Sequence, residues 1–284
     1  MAKGRLFSSK LFGYNNKNQG GIMNLFILEC KRILNDKIFI AVLFLNILFY
    51  LYINYSMNYI HFISDNNFYM RLFFLSPDTT ELTNAFYFIL PILSCLVGSD
   101  VMAQDMRSKE FINILSRVNK KKYFLCKVVL SFVSAGIVMI VPFLLDFIVK
   151  LATYPANLPS VTWGANFYDV MGMSDIFVYN PMLYTILAIL FTFLFSGLLG
   201  LGGFSISLFT NKKLIITSVP FIITIVIWNV VNILGIKDYS IASMLIFRIT
   251  HNIHTFNELA TAFIIPFLIV VFISFMGGKK YDYI

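Results

Sequence analysis

Polar residues in this chain gather into clumps, and between them run long apolar stretches. Six of these reach or approach the roughly 20 residues that a helix needs to cross hydrocarbon. They are residues 38–55, 85–103, 128–149, 182–209, 214–234 and 259–276. Asn46 and Asn54 interrupt only the first, while Pro91, Pro142, Pro220 and Pro266 fall in the second, third, fifth and sixth, where kinks are expected. The pattern predicts an all-α polytopic membrane protein with six transmembrane helices.

Two further stretches have a helical period with one apolar face. In residues 24–37, Phe26, Ile27, Cys30, Ile33 and Leu34 fall on one side and Glu29, Lys31, Arg32 and Asp36 on the other. This suits an N-terminal helix lying in the membrane interface; the plainer reading is an anchor for the first span. In Asp105–Lys127 (DMRSKEFINILSRVNKKKYFLCK), Phe111, Ile114, Leu115 and Val118 repeat at helical spacing among charges. That predicts a helix over about 105–122. Its basic face fits lipid headgroups; its regular apolar face also fits a groove on a cytoplasmic partner.

Composition removes the soluble alternatives. Of 284 residues, 58% are hydrophobic and 13% charged, and mean hydropathy is +0.79. A soluble domain carries about 25% charged residues, and disorder is excluded by the same apolar excess. The net charge of +8 gains its meaning from position. With the N-terminus inside, 18 of the 22 Lys and Arg residues lie in inner segments, as the positive-inside rule requires. Both termini are then cytoplasmic in a plasma membrane, and the basic excess records topology rather than nucleic-acid binding. Residues 1–22 (with GYNNKNQGG) read as a flexible leader before a single unit, 23–284; Met23 is an alternative start. Cys30, Cys95 and Cys126 are too few and too scattered for a disulfide framework or a Cys metal site.

Within the basic stretch, the run E-x-x-x-I-L-S-R-x-x-x-K-K-x-x-L-x-K leads into span three. The order of short amphipathic helix, two spans, basic helix and third span resembles the permease subunit of ABC-2 type transporters, over residues 24–284 in topology. Glu110, Leu115, Ser116, Arg117, Lys121 and Lys127 match the family's acidic residue, Leu-Leu-Ser-like run, basic turn and Lys at the foot of span three. The family's Gly-Thr pair before the Leu run is absent, and Val118 stands where a Pro is common. The resemblance implies an ABC-2 (type V exporter-like) fold. It also implies contact of the interfacial and coupling helices with a separate ATP-binding subunit. The residues so implicated are Glu29, Arg32, Arg107, Glu110, Phe111, Ile114, Leu115, Arg117 and Lys121. A second permease copy or a homologue would complete a dimer. ATP and Mg²⁺ would belong to the partner, because this chain has no G-x-x-x-x-G-K-[ST] and no cofactor site of its own.

Export of an amphipathic or lipid-like substrate is the implied activity. The Asn/Ile/Lys-rich composition looks like a low-GC Gram-positive bacterium, where small exporters of this kind handle antimicrobial or toxin peptides, including phenol-soluble modulins. A toxin or antimicrobial peptide is therefore the favoured cargo. A non-transporting immunity or scaffold subunit stands as an alternative. An intramembrane protease is the remote one, with Ser205 as its weak nucleophile.

Other candidates are individual. Asp146 and Lys150 lie one helical turn apart toward the outer end of span three, where they suit a pair. Intramembrane acids mark function by default, against an interfacial pair that snorkels outward. Asp100 is placed to pair with a basic residue beyond span two. Asn46, Asn229 and Asn232 offer polar groups for bonding between helices, the favoured reading, or for lining a path. Ser196, Gly197, Gly200 and Gly203 form a small-residue patch for close helix packing. Residues 235–258 suit a short re-entrant pair. His251, His254 and Glu258 have helical spacing but no third strong ligand, so no metal is expected.

Overall fold

The computed structural model describes residues 21–59, 67–76, 79–108, 114, 119–158, 173–235, 244–245, 247 and 254–279. All ordered elements among them are helical, and six helices are long and apolar enough to cross a membrane. The chain is a multi-pass membrane protein. The elements are α1 (Gly21–Leu34), α2 (Lys37–Tyr59), α3 (Phe68–Arg71), α4 (Thr80–Leu96), α5 (Val101–Ser108), α6 (Lys120–Thr153), α7 (Ser174–Tyr179), α8 (Pro181–Ser207), α9 (Lys213–Ile233) and α10 (Phe256–Lys279).

The expected spans are present, with instructive departures at their ends. Span two does not run straight through residues 85–103. It stops at Leu96, turns over Val97–Asp100 and restarts as α5. Gly98 has φ +71°, and a Cβ there would sit 2.5 Å from the Ser134 hydroxyl. Both the left-handed backbone and the close approach exclude a side chain. Span three starts at Lys120 rather than Val128, because Asn119 caps the helix by accepting from Lys121 N–H at 3.0 Å. The Lys triplet therefore opens a spanning helix instead of closing the coupling helix. Residues 109–113 and 115–118 of that expected helix lie outside the described residues, as does most of the 235–258 segment. The helix expected over 24–37 runs instead from Gly21 to Leu34, where Asn35 and Asp36 turn the chain into α2. The prolines of α4, α6, α9 and α10 all lie inside continuous helices.

The architecture centres on α6 packed along α8. Around this pair stand α1, α2, α4 and α10, with α9 against α4 and α8. Two apolar clusters fill the interior. One, containing Phe73, Phe86, Phe143, Phe191 and Phe195, occupies one end of the bundle; the other, containing Leu25, Val42, Met102, Tyr123 and Phe204, occupies the end that carries α1. In α9 only Ile216, Thr217 and Pro220 are buried, and Trp228 and Val226 point outward. Hydrocarbon solvates such a face, and the helix satisfies its own backbone.

Small residues let α6 and α8 meet. Ser131 of α6 donates to the Gly200 carbonyl at 3.1 Å. A Cβ on Gly200 would collide with that of Ala135 and lie 3.1 Å from the Ser131 carbonyl oxygen. On Gly197 it would lie 2.9 Å from the Phe132 carbonyl oxygen, and on Gly203 2.8 Å from Ser99 Cβ. Gly202, on the same helix, meets nothing within 4 Å. Gly200→Ala therefore lowers unfolding stability by ~1–3 kcal/mol, the usual cost of overpacking. Gly202→Ala stays within about 0.5 kcal/mol of the parent. Thermal unfolding of the two variants in detergent measures the contrast.

Candidate functional site: a charged joint

Four charged side chains from three helices meet at the end of the bundle that carries α1. Glu29 and Arg32 stand one turn apart on α1, Asp105 comes from α5, and Lys127 from α6. Lys127 Nζ lies 2.7 Å from Glu29 Oε2 and 2.7 Å from Asp105 Oδ2. Arg32 Nη1 pairs with Asp105 Oδ1 and lies 3.8 Å from Glu29 Oε2; its Nη2 lies 3.4 Å from Gln104 Oε1. The Tyr123 hydroxyl donates to Asp105, and the ammonium of Lys127 stands 5.3 Å from the Tyr123 ring centre.

Burial makes this group energetically decisive. Asp105 and Tyr123 are fully buried, and Lys127 is 1% exposed. An isolated charge at such a place costs several kcal/mol. Two acids and two bases cancel, and the hydroxyl satisfies a further carboxylate lone pair. The apolar frame is Leu25, Ile33, Phe39, Val101 and Met102, with Ile114 packed against it. Burial pushes the Cys30 thiol up from its ordinary range, and the neighbouring Glu29 carboxylate adds to the effect. That thiol stays protonated near neutral pH.

A second ion group stands alongside. Asp100, in the turn between α4 and α5, lies 3.2 Å from Lys213 Nζ at the start of α9 and 3.8 Å from Arg107 Nη2 on α5. Asp100 is 2% exposed. Its partners thus include a residue of the next helix pair as well as one just downstream. Together the two groups tie α1, α5, α6 and α9 at one end of the bundle.

Of the residues singled out for coupling, Glu29 and Arg32 enter the charged joint, and Arg107 the Asp100 group. Lys121 is exposed in the first turn of α6, and Ile114 is half-buried. Glu110, Phe111, Leu115 and Arg117 lie outside the described residues. Asp105 and Tyr123 stand out only in the structure: nothing local marks an acid at the end of one helix as the partner of a Lys 22 positions on. The one legible hint is Tyr123 and Lys127 at i and i+4 where a basic stretch turns apolar.

The other polar candidates separate. Asn46 bridges helices, donating to the Val138 carbonyl at 3.0 Å. Asn229 does not: it is exposed and donates to Ile225 of its own helix at 2.9 Å. Asp146 and Lys150 are buried at the opposite end, 0% and 4% exposed, so neither snorkels outward. His254 lies 3.7 Å from Glu258. Ser205 donates to the Gly202 carbonyl. Among the described residues no group of three or more His, Cys, Asp or Glu side chains is set to hold a metal.

The joint ties three helices through ion pairs. Removing Lys127 leaves two buried carboxylates to share one cation, Arg32. Lys127→Ala is expected to cost ~3–5 kcal/mol, as for a broken buried pair. Tyr123→Phe, which removes one hydrogen bond to a charge, costs about 1.5–3 kcal/mol. Thermal unfolding in detergent ranks the two.

No family model, curated protein or solved structure matches the chain.

Proposed function

We propose that this chain is the membrane permease subunit of an ATP-driven ABC-2 type exporter. A separate ATP-binding subunit supplies the energy. A second permease, the same chain or a homologue, completes the path. The cargo is amphipathic or hydrophobic, with an antimicrobial or toxin peptide favoured. The basic end faces the cytoplasm of a Gram-positive cell, in keeping with the distribution of Lys and Arg.

The observation that carries this reading is where the charged joint sits. It fastens α1, α5 and α6, and α5 and α6 are the two helices that flank the basic 109–118 segment. A partner that grips this segment pulls on a balanced, buried cluster rather than on a loose loop. Closing of an ATPase pair would then move α1, α5 and α6 as one unit and change access to a path along α6 and α8. The E-x-x-x-I-L-S-R run that resembles the family's docking element lies in the same segment.

Charge reversal tests the docking role. Co-expression with ABC ATP-binding subunits of the same genome should recover one of them with the chain. Glu110→Lys or Arg117→Glu should lower that recovery roughly tenfold, about 1.4 kcal/mol, without changing the thermal stability of the chain. Unchanged recovery would assign the basic segment to lipid headgroups. In proteoliposomes, ATP hydrolysis should rise with an amphipathic peptide that also crosses the bilayer. Stable docking without either effect would leave the scaffold or immunity role in its place.

A further inference from the structure

At the end of the bundle opposite the charged joint, ten residues of non-spanning chain are packed into the interior. Between residues 67 and 76 every side chain except that of Arg71 is buried, and Phe68, Leu72, Phe73 and Leu75 are fully so. The segment consists of the single turn α3 followed by a tight turn, in which Ser76 N–H donates to the Leu72 carbonyl at 2.8 Å. It fills the space between three spanning helices. Phe73 stands 6.3 Å from Phe49 of α2 and 5.0 Å from Phe143 of α6, ring centre to ring centre, and its carbonyl accepts from Thr83 of α4 at 3.3 Å. Phe49 in turn stacks on Phe86 of α4 at 4.8 Å.

Backbone that is not helical is tolerated inside a membrane protein only where its polar groups are met. Here Asp146 meets one. Its Oδ2 accepts from Phe73 N–H at 2.9 Å, while its Oδ1 has no hydrogen-bond partner among the described residues. Lys150, one turn further along α6, lies beside the Tyr154 ring, over which Arg71 also lies; it forms no ion pair with Asp146, contrary to the pairing expected from their spacing. Asp146 is fully buried and meets the segment through one oxygen only, so its hold on the Phe73 N–H is a single polar contact. An arrangement that must also come apart has a use for it.

We propose that residues 67–76 are a removable plug, that Asp146 is its latch, and that the space beneath is a binding chamber for an amphipathic molecule. With the plug withdrawn, Phe49, Phe86, Tyr87 and Phe143 line an aromatic chamber. The freed carboxylate of Asp146 then marks its polar end. The apolar part of a guest replaces the Phe73 and Phe74 rings, and a donor group on it replaces the Phe73 N–H. The plug and latch stand on packing alone; the identity of the guest rests on the export reading.

A reporter cysteine tests the latch. Cys30, Cys95 and Cys126 are replaced by Ser, Ser76→Cys is introduced, and the full chain in nanodiscs is treated with a water-soluble maleimide. The latched chain should label slowly. Asp146→Leu should speed labelling roughly tenfold or more, as the loss of a hydrogen bond to a charged group implies. Asp146→Asn, which keeps an acceptor, should fall between. Thr83→Val, at a second contact of the plug, should act in the same direction. Equal labelling with and without Asp146→Leu overturns the proposal. So does an equal rise at native Cys95, restored alone as a reporter of the α4–α8 core, because that means general loosening.

Should Asp146→Leu fail to fold, hydrogen exchange on the unaltered chain decides: the plug must open faster than the core of α8, and equal protection overturns it. Finally, dodecyltrimethylammonium should speed labelling of the latched chain. If Asp146→Leu opens the plug but this amphipath has no effect, the latch stands, and the chamber's guest and the export reading both lose support.

Discussion

The fold depends on three buried charges that cannot be left alone. Glu29, Asp105 and Lys127 are nearly or wholly removed from solvent, and each is tolerable only because the others are there. Lys127 lies 2.7 Å from both carboxylates, and Arg32 completes the neutral set. This condition fixes positions that apolar packing alone would leave free to slide. It holds the amphipathic helix α1 against the bundle and sets the depth at which α6 begins.

The rest of the bundle follows from a different economy. Where α6 and α8 approach, the chain uses Gly197, Gly200 and Ser131 in place of bulk, because lipid offers no hydrophobic push toward close packing. At the far end it uses bulk instead, packing Phe49, Phe86 and Phe143 around Phe73 of the 67–76 segment. The molecule therefore has a charged joint at one end, a thin small-residue waist and an aromatic closure at the other. Asp100 and its pairing with Lys213 extend the joint to α9.

Six spans were legible because twenty apolar residues in a row leave a helix few other places to be. The helical course of α1 was legible for the same kind of local reason, but its faces were not: Glu29, expected on the polar side, is buried, while Ile27 and Leu34, expected on the apolar side, are exposed. Three further features were not legible. The break at Val97–Asp100 follows from the fit of Gly98 against Ser134, a residue 36 positions away. The early start of α6 follows from the Asn119 cap and from Lys127 being neutralised; read alone, that Lys marks the edge of a membrane span. The ion pairs that tie α1 into the joint, Arg32 with Asp105 and Glu29 with Lys127, join residues more than 70 positions apart, and no spacing rule reaches that far. Asn229 shows the opposite error: a polar residue in a span suggests a partner helix, yet its own backbone satisfies it.

If the joint is the keystone, its members must be energetically coupled and not merely adjacent. A double-mutant cycle between Glu29 and Lys127, using Glu29→Gln, Lys127→Met and the pair, measures this by thermal unfolding of the purified chain in detergent. The double variant should be less damaged than the sum of the singles by about 1.5–3 kcal/mol. Effects that add to within about 0.3–0.5 kcal/mol would mean that the two groups act independently, and would contradict the central role given to the joint.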